Sequence, residues 1–143
     1  IDLASIAVLE RALSEAGFSP DLLWASPDRW AVPVRVLDAW VDGAARAIAQ
    51  AVVASLSVID FPAVVIDGWL PPDVRARMQA AVIAALAGLN LSGLEMPEVL
   101  AGTLGPEARP LGAAALPLTS RFLIDQGAFL TPNDDVAASR AAP

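Results

Sequence analysis

The sequence predicts a helix-rich α/β domain built around a small parallel strand core. Ala63 to Ile66 is a short continuous apolar run with the β-branched character of a buried parallel strand, and Val99 to Leu104 is a second strand candidate. Between them lies a helical pattern with Val74, Met78, Val82, Leu86 and Leu89 directed inward. The 56% hydrophobic content, much of it alanine, is that of helices packed on both sides of something.

In chain order, Ile6, Leu9, Leu13 and Ala16 fall at helical spacing within Leu3 to Gly17, and Gly17 is the stop. The following stretch carries Pro20, Pro27 and Pro33 with Trp24 and Trp30. Proline breaks regular structure and tryptophan needs burial, which predicts an ordered loop packed on the domain. The longest helix runs from Val34 to about Val58, with Leu37, Trp40, Val41, Ala44, Ile48, Ala51, Val52 and Leu56 as its apolar face. Its second half is apolar nearly all round and is expected to be mostly buried. Asp42 and Arg46 stand four apart on its polar face, ready to pair.

The first strand ends at Asp67-Gly68, and Pro72-Asp73 opens the next helix, where proline in the first turn forfeits no needed N–H. That helix stops near Gly88 to Asn90. Gly105-Pro106 breaks the second strand, and a last helix is expected from Glu107 to Leu123, kinked or split at Pro117. Residues 131–143 read as a polar tail. Two strands do not make a stable sheet alone, so another part of the chain or another subunit is expected to complete it. Ile1 is not a start methionine, and the chain is expected to be part of something longer. Its apolar runs are interrupted by Arg46, Gln50, Arg75 and Arg77, so no membrane span is expected.

Composition narrows the chemistry. The chain has no His and no Cys, and all nine of its basic residues are arginine. That leaves no Cys/His zinc site, thiol nucleophile, imidazole base, Schiff-base lysine or P-loop. A net charge of −7 gives this stretch no electrostatic footprint for nucleic acid. Asp38, Asp42 and Asp60 lack the partners of a two-carboxylate mechanism, and Asp134-Asp135 reads as a solvated pair. Trp24, Trp30 and Trp40 could form a stacking platform for sugar, but buried anchors are the commoner use. No catalytic or metal-binding residues are assigned.

The Asp67-Gly68-Trp69 turn is the feature that raises a functional question. A glycine turn between a parallel strand and a helix is where α/β proteins hold phosphate groups. Trp69 obstructs close backbone approach, and the expectation is that its ring plugs the space, against the last helix near Gly112 to Ala115. Gly102, Gly105 and Gly112 do not form a dinucleotide fingerprint, and serve a turn at Gly105 and close packing at Gly112.

The segment from Leu100 to Leu123, with Leu104, Gly105, Ala108, Gly112, Ala113 and Ala114, resembles the carboxyl end of the ROK family of repressors and sugar kinases. Val64 to Met78 is similar to that family's penultimate strand, glycine turn and helix. The resemblance spans about residues 1–130 and implies the carboxyl-terminal half of an actin/hexokinase-like fold. The family's sugar-binding and catalytic residues, and its structural zinc, would lie upstream. Its kinases carry a glycine run where this chain has Asp67, Gly68 and Trp69. That departure resembles the family's transcriptional regulators. It implies a cytoplasmic, sugar-responsive regulator lobe without catalysis or cofactor, in a homo-oligomer, meeting DNA and effector through the amino-terminal region. The sugar kinase lobe is the alternative.

Overall fold

The computed structural model describes residues 2–118. They divide into two units, the first ending at Pro106 and the second beginning at Glu107. The first is a mixed α/β domain, mostly helical, with a two-stranded parallel sheet.

Helix α1 (Ile6–Glu15) follows a 3₁₀ turn, Asp2–Ala4, and Ser5 caps it by accepting from the Ala7 N–H at 3.1 Å. Gly17, at φ +82°, ends it where the sequence placed the stop. The loop beyond is ordered as expected: Ser19 caps a 3₁₀ turn, Pro20–Leu23, and Leu23 is fully buried. Trp30 is buried beside Trp40, with ring centroids 6.2 Å apart. Trp40 also donates its indole N–H to the Ser5 carbonyl at 3.1 Å, fixing the start of α1 against α2 (Val34–Leu56).

α2 departs from expectation in its second half. Ala45, Ala49, Val52 and Leu56 are buried, but Ala51 and Ala54 are exposed and Ile48 is half-buried. Within this unit α1 and α3 (Pro72–Ala87) both pack on α2 and leave part of its circumference uncovered. The remainder forms an apolar groove lined by Ala47, Ile48, Ala51 and Val52 with Phe61 and Val64. The expected Asp42–Arg46 pair is not among the ion pairs of the described residues; the exposed Arg77 of α3 instead bridges to Asp38. A contact across two packed helices fixes that geometry better than a shared solvent face does.

Strand β1 (Ala63–Ile66) lies parallel to β2 (Glu98–Ala101), with Val64 opposite Val99 and Val65 opposite Leu100. Ile66 and Val99 are buried, while Val65 (61% exposed) and Leu100 (37%) mark the open face. β2 ends earlier than the predicted Leu104. The Gly102 N–H donates to the Ile66 carbonyl at 2.8 Å, and the chain then turns across the end of β1. On the outer edge of β2, Gln79 of α3 donates to the Val99 carbonyl at 2.8 Å. β1 has no strand neighbour but β2 among the described residues.

In the second unit, helix α4 (Ala108–Leu118) contains Pro117 near the end of its described length. The predicted continuation to Leu123 and the 131–143 tail lie outside the described residues. No helix among the described residues is long and apolar enough to cross a membrane.

Candidate functional site at the end of the parallel strands

The turn after β1 is filled, but the group that fills it is the Asp67 side chain. Its Oδ1 accepts from the Gly68 N–H at 2.8 Å and from the Gly105 N–H at 2.8 Å. Its Oδ2 accepts from the Leu104 N–H at 3.1 Å. The carboxylate therefore gathers backbone donors from both strand ends, donors of the kind that bind anions elsewhere.

The local backbone is shaped for this. Gly68 has φ +122° and Gly105 has φ +55°, both in the region that favours glycine. The Gly102 N–H is committed to the β1 carbonyl, and a Cβ at Gly102 would run into the Asp67 carboxylate. A Cβ at Gly105 would come within 2.7 Å of Arg75 Nη2.

Arg75 completes the arrangement from the first turns of α3. It is 8% exposed, with Nη1 3.6 Å from Asp67 Oδ1. Nη1 also donates to the Gly102 carbonyl, and Nη2 donates to the Leu70 carbonyl at 2.9 Å. Its Nε is buried with no hydrogen-bond partner among the described residues. The guanidinium thus pins the turn leaving β1 and the turn leaving β2 to one helix.

The Asp67 carboxyl is held below the ordinary aspartate value of 3.8, first by the Gly68 N–H, then by those of Gly105 and Leu104 and by the Arg75 charge, with partial burial opposing them. A carboxylate so well supplied with donors is a weak base. Its chemistry here is to occupy an anion position, not to move protons.

Trp69 lies beside this turn and packs toward the loop after α1. Its half-buried ring lies 5.7 Å from Trp24, centroid to centroid, and its indole N–H donates to the Leu23 carbonyl at 3.2 Å. Trp24 is 47% exposed and donates to Glu10 Oε1 at 2.7 Å. These contacts to Trp24 and Leu23 lie within the first unit, and Gly112 to Ala115 belong to the second. Trp24, Trp30 and Trp40 do not form one platform, since Trp30 pairs with Trp40 in the core and Trp24 with Trp69.

Gly105 is buried and serves the turn, as expected. At Gly112, by contrast, a Cβ would meet no described residue of its own unit within 4 Å. Asp38 is spent on Arg77, and Asp134-Asp135 lie outside the described residues. No group of three or more carboxylates able to hold a metal occurs among the described residues.

Arg75 is the residue that sequence reasoning missed. Its signal was its place beside Val74 and three residues before Met78, on the inward face of α3.

Fold and site together define a small α/β domain whose strand-end backbone donors are taken by its own aspartate. No family model, curated protein or solved structure matches the chain.

Proposed function

We propose that the chain is the carboxyl-terminal lobe of a sugar-responsive transcriptional regulator of the ROK type, with an actin/hexokinase-like fold and no catalytic role. The observation that carries the reading is the Asp67 carboxylate seated on the N–H groups of Gly68, Leu104 and Gly105. A nucleotide phosphate brought to this turn would meet a fixed negative charge on the donors it requires. A lobe so closed still serves to complete a sensing fold and to form subunit contacts.

The sheet supports an assembled role. Gln79 covers the outer edge of β2, so further strands would add beside β1. The exposed Val65 and Leu100 and the groove along α2 offer apolar surface for a neighbouring part of the chain or a second copy. In this reading the protein is cytoplasmic and homo-oligomeric, with effector and DNA bound outside this lobe.

The test uses the gene product that carries this chain. Its retention of the DNA upstream of its own gene is measured by mobility shift against a panel of monosaccharides. Parallel samples are assayed for MgATP-dependent sugar phosphorylation. Sugar-dependent release of DNA without phosphorylation is expected. Phosphorylation of any sugar at enzymatic rates would replace this reading with a sugar kinase.

A further inference from the structure

We infer that the turn between β1 and α3 is a complete oxyanion site whose ligand is built into the chain. Removing the Asp67 carboxylate would open it to small oxyanions of the carboxylate and phosphate class. The inference stands on geometry alone and does not depend on the regulator reading.

The donors are already placed. The N–H groups of Gly68, Leu104 and Gly105 converge on the two carboxylate oxygens at 2.8 to 3.1 Å. They come from two chain segments more than thirty residues apart, so the concavity is a product of the fold and not of one turn. The chain leaving each strand is also held by contacts that do not involve the carboxylate. Gly102, two residues before Leu104, is tied to Ile66 and to Arg75, and the Gly68 carbonyl accepts from the Leu70 N–H at 2.8 Å. For the site to open, these ties must keep the donors in position when the side chain is shortened.

Charge points the same way, independently of the backbone. Arg75 is nine-tenths buried, its Nε has no partner, and Asp67 is its one ion-pair partner among the described residues. A buried cation left without its counter-ion is strongly unfavourable, which gives a solution anion a reason to enter. Glycine at position 102 leaves no Cβ in the space the carboxylate now takes, and glycine at position 105 leaves room for the Arg75 guanidinium beside it. Asp67 is about one-fifth exposed, so an anion has a way in from solvent.

The experiment is anion rescue of Asp67→Ala in the full 143-residue chain. Thermal unfolding midpoints of parent, Asp67→Ala and Asp67→Asn are measured in sodium phosphate, formate and chloride at matched ionic strength. The midpoint of Asp67→Ala is expected to rise with phosphate and formate and to saturate, as mass action on a folded-state site requires. The parent and Asp67→Asn, whose side chains still fill the site, are expected to follow only the general salt response. Amide spectra should place the phosphate-induced shifts of Asp67→Ala at Gly68, Leu104 and Gly105. If Asp67→Ala is unfolded in chloride, phosphate or formate is expected to restore its near-ultraviolet dichroism. A folded Asp67→Ala that ignores all anions overturns the inference. So does one that shares its anion response with Asp67→Asn, or one that no anion refolds.

Discussion

Asp67 Oδ1 accepts the Gly105 N–H at 2.8 Å across a sequence separation of 38 residues, and this contact joins the exits of the two parallel strands. It makes Gly105 more than a strand stop. The residue must turn with φ +55°, present its N–H to a carboxylate and leave room for the Arg75 guanidinium.

Gly105→Ala should therefore destabilise the chain by at least about 1–2 kcal/mol, from left-handed backbone strain plus the 2.7 Å approach to Arg75 Nη2. Gly43→Ala is the control. Gly43 lies inside α2 and its Cβ would meet nothing within 4 Å, so added helix propensity should stabilise by about 0.5–1 kcal/mol. Urea denaturation of the two variants checks both signs. Equal effects at the two positions would contradict the turn geometry.

Trp69 and Trp24 are in ring contact, with centroids 5.7 Å apart. Trp69 is only half-buried, so Trp69→Ala should cost roughly 2 kcal/mol, below the 3–5 kcal/mol typical of a fully buried tryptophan. The loss includes the bond to the carbonyl of the buried Leu23. A double-mutant cycle with Trp24→Ala should return a coupling of about 0.5–1.5 kcal/mol. A coupling near zero would mean that the 5.7 Å ring contact contributes nothing.

Arg75 reaches two carbonyls with one planar group, which lysine cannot reproduce. Arg75→Lys should lose at least one of the bonds to Gly102 and Leu70, at about 1–3 kcal/mol in a site this buried. Hydrogen exchange should show the loss at Gly102, Leu104 and Gly105 sooner than at the core of α2. Uniform loosening across α2 and α3 would instead make Arg75 a packing residue.

The elements were legible because their signals are local. Ala63 to Ile66 is a β-branched run bounded by Pro62 and Asp67, and the structure places β1 there. Pro72 opens α3 as its first helical residue, and Gly88 caps its end. The end of β2 was not legible, because Leu104 continues the apolar pattern while its N–H is claimed by Asp67. The burial of α2 was overestimated for a similar reason. An alanine-rich helix looks apolar all round whether or not neighbours cover every side.

The turn itself was half legible. Asp67, Gly68 and Trp69 stood out as a departure from a glycine-rich phosphate loop, and bulk suggested Trp69 as the plug. What decided the matter is donor geometry assembled from residues 68, 104 and 105, which no sequence spacing displays.

The central claim is that one carboxylate holds three backbone N–H groups in the place of a bound anion, and an amide pH titration tests it most directly. With its value lowered from 3.8 in the folded state, Asp67 takes up a proton on unfolding between its folded value and about 3.9. Its stabilising contribution is thus complete above that range and is lost as pH falls through the folded value. The amides of Gly68, Leu104 and Gly105 should titrate together with a single midpoint below 3.8, and all three should be insensitive to pH in Asp67→Asn. Three unrelated midpoints, or a common one at or above the ordinary aspartate value, would contradict the account.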